Sequence, residues 1–290
     1  MTVTETAFAK LNLCLDAVGR RPDGYHELVS VMQTVSLCDK VTVTRTAGRN
    51  VTLSTNGDLP TDGRNLAVRA AGAYFEAAGT SFGADIVLEK TIPVQAGLGG
   101  GSADAAAVLR ALNALDNGRF TIEQLCAVGA RVGADVPFCV AGGTRLCRGI
   151  GERMTPIECR LSPHVVVAVS GEGISTPRAF ADLDARYPDL TRPAAEAEAR
   201  LPAMIAALRE GDLVALAASM YNRFEEVIEP LRPAVSALKK VLLAHDALAA
   251  RMSGSGPAVF GLFETEQSAN ACAAALCAAG AQAFTCTFVS

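Results

Sequence analysis

Apolar and polar residues alternate over residues 6–15, a pattern that predicts a β-strand with one buried face. The leucines and Ala9 fall on one face of this strand, whereas Lys10 and Asn12 fall on the other. A lysine on the polar face of a half-buried strand is often a solvated side chain at a sheet edge. The pattern alone therefore leaves open whether Lys10 has a chemical role.

The hydrophobic pattern predicts strands over residues 28–37, 40–46, 50–55 and 85–89. It predicts three helices in the same half of the chain: one over residues 64–78, one that starts at the glycines near residue 100 and ends at residue 115, and one over residues 121–133. Gly79 is expected to close the first of these helices. Thr121 and Gln124 are spaced as a capping box at the start of the third.

Asp135 follows the end of the helix predicted over residues 121–133. Pro137, two residues later, is expected to stop any continuation of that helix, and strands are expected over residues 139–147. A carboxylate in such a place either forms a turn or is held at a cleft. The sequence leaves both interpretations open.

The second half of the chain shows the order strand, helices, strand, strand, helix, strand, which is the split βαβ arrangement. The predicted elements are a strand at residues 165–169, helices within 195–245, strands at 247–252 and 258–263, a helix at 265–279 and a strand at 282–289. Pro156 and Pro163 bracket a polar stretch before this half. We therefore predict two domains, residues 1–157 and 158–290.

Four glycines lie within the five residues 97–101, inside the segment PVQAGLGGGSADAAA at residues 93–107. Glycines that enter left-handed backbone regions let N–H groups converge on an anion, and the helix behind them adds further N–H groups. The segment lacks the Gly-Lys-Ser/Thr end of a Walker loop, and Ser102 replaces the third small residue of the dinucleotide fingerprint. It is either a phosphate loop of another kind or a mobile turn before a helix.

Residues 22–24, Pro-Asp-Gly, predict a tight turn because proline fixes one φ angle and glycine accepts a positive one. Tyr25 and His26 follow the turn, and His26 is one of only three histidines in the chain. Tyr25 either packs within a hairpin or faces a ligand, and the turn alone does not decide between the two.

The composition is that of a globular protein: 50% of the 290 residues are hydrophobic and 19% are charged. A net charge of −4 without a long basic run argues against nucleic acid or a membrane surface as a partner. The nine cysteines include no C-x-x-C pair, which argues against zinc and favours buried thiols in a reducing compartment. With no apolar signal core or membrane-spanning run, we expect a cytoplasmic location.

Three segments together resemble the signature regions of the GHMP kinases: residues 9–13 (AKLNL), the glycine loop, and residues 252–260 (MSGSGPAVF). Residues 19–26 (GRRPDGYH) and 133–137 (GADVP) are similar to one branch of this family. The resemblance implies that the substrate is the alcohol cytidine diphosphate methylerythritol, which that branch phosphorylates. The resemblance implies a two-domain α+β fold. Its N-terminal domain is ribosomal-S5-domain-2-like and its C-terminal domain is ferredoxin-like.

The resemblance also implies catalytic roles and a nucleotide. Asp135 matches the aspartate that accepts or orients the proton of the attacking hydroxyl, and Lys10 matches the lysine that offsets charge beside it. ATP with Mg²⁺ is implied as the phosphoryl donor. Ser102 is the only hydroxyl of the loop, and no second acidic ligand for magnesium is evident. The implied ATP-binding set is Pro93, Val94, Gln95, Ala96, Gly97, Leu98, Gly99, Gly100, Gly101, Ser102, Ala103 and Asn65.

For the substrate, Tyr25 and Phe180 match two aromatic residues that sandwich a cytosine ring, and His26 matches a residue that hydrogen-bonds the base edge. Asn12 and Thr176 lie where the diphosphate or the alcohol would bind. The loop departs from the family at two positions: Ala96 stands where many members carry Gly, and Ala103 stands where many carry Ser or another small residue. The oligomeric state, monomer or homodimer, is left open.

Two other functions remain as alternatives. A homoserine or mevalonate kinase of the same superfamily needs no cytosine clamp, so the Asp-Gly-Tyr-His sequence argues against it. A nucleotide-binding regulator without catalysis needs neither Lys10 nor Asp135, and both are present.

Overall fold

The alternating stretch near the start of the chain forms strand β1 (Thr2–Arg20), which is longer at both ends than the pattern predicts. Strand β2 (His26–Thr46) is continuous where the sequence predicts two strands. Alternation persists through the predicted break, because Leu37 and Asp39 are buried while Ser36 and Lys40 are exposed. Because Asp39 is charged, the hydrophobic pattern alone predicted a break between two strands at this position.

The structure is a computed structural model, and it describes residues 1–80, 82–171 and 173–290. The remaining strands are β3 (Val51–Thr55), β4 (Gly83–Glu89), β5 (Thr144–Gly149), β6 (Arg153–Pro156), β7 (His164–Val169), β8 (Tyr221–Asn222), β9 (Ala249–Met252), β10 (Val259–Phe263) and β11 (Gln282–Thr287). The helices are α1 (Leu66–Ala78), α2 (Gly100–Leu115), α3 (Ile122–Ala130), α4 (Val136–Ala141), α5 (Thr176–Arg186), α6 (Thr191–Glu210), α7 (Leu213–Ser219), α8 (Glu225–Ile228), α9 (Pro233–Ala244) and α10 (Glu266–Ala278).

These elements form two compact units that interleave along the chain. The first comprises Met1–Lys10, Cys38–Val94 and Gly99–Gly142, and the second comprises Leu11–Leu37, Gln95–Leu98 and Gly143–Ser290. Strands β1 and β2 therefore contribute one segment to each unit. The domain boundary between residues 157 and 158 stays a prediction.

In the first unit, a sheet in the order β3-β4-β2-β1 carries the helices α1 to α4. Helix α2 is alanine-rich, and ten of its 16 residues are buried, which makes it the core helix of this unit. The predicted caps are confirmed: Gly79 closes α1 in a left-handed conformation, and Thr121 and Gln124 form a capping box on α3.

In the second unit, four strands form an antiparallel sheet in the order β11-β7-β10-β9. This is the strand order of a ferredoxin-like split βαβ fold, and it confirms the prediction for the second half of the chain. Val165 to Ala168 of β7 are all buried at the centre of the sheet. The continuous apolar run is thus explained by burial on both faces.

The strand prediction over residues 139–147 was wrong at its start, since residues 139–141 belong to helix α4 and strand β5 begins only at Thr144. Asp135 is the N-cap of α4, and Pro137 lies in its first turn. Proline is tolerated there because an N–H in the first turn has no intrahelical acceptor to lose. The short strands β6 and β8 were not predicted, and β8 interrupts the region in which only helices were expected.

All nine cysteines are free thiols. Burial raises the pKa of the Cys14 thiol to about 12 and also raises that of Cys139 well above its usual range. These thiols therefore act as small core residues rather than as nucleophiles. No helix in the described ranges combines the length and the apolar character needed to span a membrane.

Candidate functional site

The structure brings Lys10 and Asp135 together, although 125 positions separate them in the sequence. Lys10 Nζ lies 3.5 Å from Asp135 Oδ2, and their side chains are 5% and 31% exposed. A deeply buried ammonium thus stands behind a carboxylate that keeps access to solvent. This arrangement lets the carboxylate contact a substrate hydroxyl while the ammonium balances its charge.

Gly99 makes room for the stem of Lys10. A Cβ atom on Gly99 would lie 2.9 Å from Lys10 Cγ, closer than carbon atoms pack. The φ angle of Gly99 is +69°, in the left-handed region that favours glycine. The glycine loop and the lysine–aspartate pair therefore depend on each other sterically.

The glycine loop has the backbone alternation of an anion nest. Gln95, Gly97 and Gly99 all have positive φ angles, of 55°, 82° and 69°. Such alternation turns successive N–H groups toward one side, where an anion binds. Helix α2 begins at Gly100, and its first N–H groups, including that of Ser102, lack intrahelical acceptors by geometry.

Two departures from the family pattern fit this backbone. Ala96 is buried and lies between the positive-φ positions rather than on one, so a methyl group there meets no left-handed strain. Ala103 is buried in the first turn of α2, where its N–H bonds to Gly99 O at 2.8 Å. Both alanines preserve the form of the loop.

The part of the loop that belongs to the second unit is held by the residues after β9. The N–H of Ala258 donates to Ala96 O at 3.0 Å, and Ser253 Oγ donates to Gly97 O at 3.0 Å. A Cβ on Gly97 would lie 2.1 Å from Ser253 O. The backbone approach is thus too close for any residue but glycine.

Asn12 and Thr176 both contact that same serine-glycine segment. The N–H of Asn12 donates to Ser253 Oγ at 3.4 Å, and its side-chain amide donates to Ser30 Oγ at 2.8 Å. Thr176 Oγ1 lies 3.0 Å from Ser255 Oγ. The structure therefore places both predicted substrate residues beside residues 253–255, within the second unit.

His26 and Phe180 are stacked on each other, with ring centroids 4.6 Å apart and an interplanar angle of 22°. Phe180 also meets Phe224 edge-on at 4.9 Å. Tyr25 is 58% exposed. The cytosine sandwich of Tyr25 and Phe180 stays a prediction, since Phe180 packs on His26 here.

The remaining predicted nucleotide residues lie around the loop and at the start of α1. The side chain of Asn65 caps α1 by accepting from the N–H of Ala67 at 2.9 Å and donates to Pro60 O at 2.8 Å. Val94 is exposed, whereas Leu98 is buried. A contact between Asn65 and adenine stays a prediction.

Sequence reasoning missed a buried charge cluster beside the loop, formed by Asp39, Lys90 and Asp104. Lys90 Nζ contacts Asp39 Oδ2 and lies 2.8 Å from Asp104 Oδ2. Asp39 Oδ1 accepts from the N–H groups of Thr91 and Ile92 at 2.5 and 2.8 Å. The cluster thus ties the chain entering the loop to helix α2 leaving it. The sequence offered one signal for this cluster: each of the three charged residues has apolar residues near it in the chain, and a charged residue is rarely buried unless it is paired.

Asp104→Asn is expected to flatten a pH dependence of stability. Burial raises the Asp104 pKa from 3.8 to about 7, against the opposing effect of Lys90. Between these values the folded state keeps a proton that the unfolded state has lost, so stability falls as pH rises. Asparagine does not titrate. Urea unfolding at about pH 4.5 and about pH 7.5 measures the change in the free energy of unfolding between the two pH values, which should be smaller in the variant. An equal change in the wild type and the variant would show that Asp104 does not titrate in this window.

Comparison with known proteins identifies the family. Residues 65–143 match the GHMP kinases N terminal domain, and residues 204–282 match the GHMP kinases C terminal domain. The chain belongs to the GHMP kinase family.

Two curated relatives carry the name 4-diphosphocytidyl-2-C-methyl-D-erythritol kinase. The protein of Alkaliphilus metalliredigens is 42% identical over 88% of this chain and 86% of its own length. That of Gloeobacter violaceus is 41% identical over 98% of this chain and 94% of its own length.

Two solved structures share the fold of this chain. A crystal structure of 4-(cytidine 5'-diphospho)-2C-methyl-D-erythritol kinase is 36% identical, with a TM-score of 0.82, and covers 99% of this chain and 100% of its own. Homoserine kinase from Cytophaga hutchinsonii is 22% identical, with a TM-score of 0.78 over 99% of this chain and 94% of its own. This second likeness shows a shared fold alone.

Proposed function

We propose that this chain is an ATP-dependent kinase that phosphorylates the 2-hydroxyl of 4-diphosphocytidyl-2-C-methyl-D-erythritol, in the non-mevalonate route to isoprenoids. The contact between Lys10 and Asp135 carries the proposal, because it sets an acid–base pair against the glycine loop through Gly99. The names of relatives about 40% identical over nearly the whole chain support this substrate over others in the family.

Phosphoryl transfer depends more on positioning and charge neutralisation than on covalent chemistry by the protein. Asp135, the more exposed partner, accepts or orients the proton of the substrate hydroxyl as its oxygen attacks the γ-phosphorus. Lys10 balances the charge of that carboxylate and of the transferred group. Lys10 and Asp135 are thus the catalytic residues of the proposal.

The loop from Pro93 to Ala103 binds the phosphates of ATP. Its alternating backbone and the N-terminus of α2 supply N–H donors for the anionic oxygens. Mg²⁺ takes most of its oxygen ligands from phosphates and water, and the Ser102 hydroxyl in the first turn of α2 suits the remaining place. Bound there, the ion would neutralise charge on the β- and γ-phosphates. Asn65 supports the adenine end.

The cytidine end of the substrate is assigned to the second unit. Tyr25 and Phe180 offer aromatic faces, and base stacking on such faces contributes about 1–3 kcal/mol per base. His26 hydrogen-bonds the edge of the base. Asn12 and Thr176 bind the diphosphate or the alcohol.

The proposal includes the setting in which the enzyme works. We propose a cytoplasmic enzyme, monomeric or homodimeric, with two domains at residues 1–157 and 158–290. Its partners are small anionic molecules rather than nucleic acid or a membrane. The net charge of −4 with no long basic run supports this choice.

One assay tests the substrate. ADP release is measured with 4-diphosphocytidyl-2-C-methyl-D-erythritol, homoserine and mevalonate in parallel, each with ATP and Mg²⁺. We expect turnover with the cytidylyl substrate alone. Turnover with homoserine or mevalonate instead would assign the chain to another member of the superfamily. ATP binding without turnover of any acceptor would support a regulator.

Tyr25→Ala is expected to raise the KM for the cytidylyl substrate by about tenfold, because it removes one stacking face. The KM for ATP serves as the internal control and should change by less than about twofold. Steady-state kinetics with each substrate varied in turn measure both values. Equal increases in the two KM values would remove Tyr25 from the base site.

A further inference from the structure

His26 is a buried residue whose ring bonds to a partly exposed carboxylate, a contact that no sequence pattern predicted. His26, the first residue of β2, is 8% exposed, and its Nε2 lies 2.8 Å from Asp184 Oδ1 on α5. Arg20, the last residue of β1, donates from Nε to the same oxygen at 2.7 Å. Three elements of the second unit thus meet at one carboxylate oxygen.

Arg20 fixes this carboxylate in place. Its second nitrogen donates to the backbone oxygens of Asp184 and Tyr187, at 3.3 and 2.9 Å, at the C-terminal end of α5. Burial alone would raise the Asp184 pKa, but the hydrogen bonds from His26 and Arg20 outweigh it and the pKa is lowered. Asp184 is therefore a carboxylate, which accepts hydrogen bonds and donates none.

The state of Asp184 determines the tautomer of His26. Since a carboxylate only accepts, Nε2 must donate, and in the neutral form of the ring Nδ1 then carries the lone pair. Stacking on Phe180 fixes the plane of the ring. The geometry therefore defines both where the acceptor nitrogen lies and what it can bind.

We propose that Asp184, held by Arg20, is a positioning residue that makes Nδ1 of His26 a hydrogen-bond acceptor and so selects a pyrimidine with an amino group. This rests on the proposed function, in which His26 reads the base. Cytosine presents a 4-amino donor, whereas uracil presents a carbonyl oxygen at the same position. The lone pair on Nδ1 accepts a hydrogen bond from the amino group of cytosine, whereas it is repelled by the lone pairs of the uracil carbonyl oxygen.

The test compares binding of cytidine diphosphate and uridine diphosphate by calorimetry to the full chain. The wild type should bind cytidine diphosphate about tenfold more tightly, the value of one buried hydrogen bond gained or lost. Asp184→Ala should reduce this preference to less than about threefold, because the ring is then free to adopt either tautomer. Asp184→Asn should restore most of it, since Arg20 orients the amide oxygen to accept from Nε2.

Asp182→Ala is the matched control, because Asp182 lies on the same helix and pairs with Arg178 at 3.0 Å. It should leave the preference unchanged. Proton–nitrogen NMR spectra of the free protein provide a second reading, with His26→Gln to assign the signals among three histidines. The wild type should show a protonated Nε2 and an unprotonated Nδ1, and Asp184→Ala should show a mixture.

Several results would overturn the proposal. A protonated Nδ1 in the wild type, or an unchanged preference in Asp184→Ala, would do so while kinase activity stood intact. If neither nucleotide bound the wild type, the base site of the proposed function and the selection would both fail. The NMR spectra would then still decide whether Asp184 fixes the ring.

Discussion

Asp135→Asn is expected to lower kcat by at least about 100-fold while the KM for ATP changes by less than about threefold. The amide keeps the size of the side chain but no longer accepts the hydroxyl proton. The loop that binds the nucleotide is untouched by the change. Steady-state kinetics with saturating cytidylyl substrate, and calorimetry with an ATP analogue, measure the two effects separately.

Loss of folding is the competing explanation for such a result, because the ammonium of Lys10 is 5% exposed and the carboxylate 3.5 Å from it is removed. Urea unfolding of the variant measures this cost. Glu89→Gln is the control, since Glu89 forms an exposed ion pair with Lys40 in the same unit. It should keep wild-type turnover. If Asp135→Asn also keeps it, Asp135 is not the base.

Much of the fold follows from local patterns. Alternation predicted β1, and the apolar run at residues 165–169 predicted the central strand β7. The errors have local causes as well. A strand was expected from residue 139, soon after Pro137, but a proline in the first turn of α4 loses no hydrogen bond and a new helix begins there.

The site was less accessible to sequence reasoning because its contacts join distant residues. The strand pattern placed Lys10 on a polar face, yet only the family resemblance paired it with Asp135. His26 and Asp184 are 158 positions apart, and no spacing rule connects them. Lys90 and Asp39 are 51 apart, and their burial depends on how β2 and β4 pair. Tertiary structure alone reveals such partners.

The conformation of the glycine loop was also predicted only in part from the sequence. The glycine cluster predicted positive φ angles, and Gly97 and Gly99 have them. The positive φ of Gln95 was not foreseen, because non-glycine residues rarely adopt it. A Cβ on Gly173 would lie 2.8 Å from that of Gln95, so the segment after β7 packs directly against this position. The surrounding structure, rather than the local sequence, imposes the conformation.

Gly97→Ala is expected to have the second large effect, raising the KM for ATP by at least about tenfold and lowering the free energy of unfolding by about 2–4 kcal/mol. Two costs add at this position. The φ angle of +82° disfavours any side chain, and the new Cβ would lie 2.1 Å from the backbone oxygen of Ser253. The loop or its support must therefore move, which displaces the N–H groups that bind phosphate.

Gly118→Ala separates these two costs. Gly118 has a similar φ angle of +70°, and a Cβ there would meet nothing within 4 Å. In the Gly118→Ala variant, the left-handed conformation should lower the free energy of unfolding by about 1–2 kcal/mol, and the KM for ATP should stay unchanged. Urea unfolding and steady-state kinetics on both variants make the comparison. Equal losses of stability would mean that the contact with Ser253 relaxes easily. An unchanged KM in Gly97→Ala would mean that the phosphates of ATP bind elsewhere, because a displaced nest cannot hold them with the same affinity.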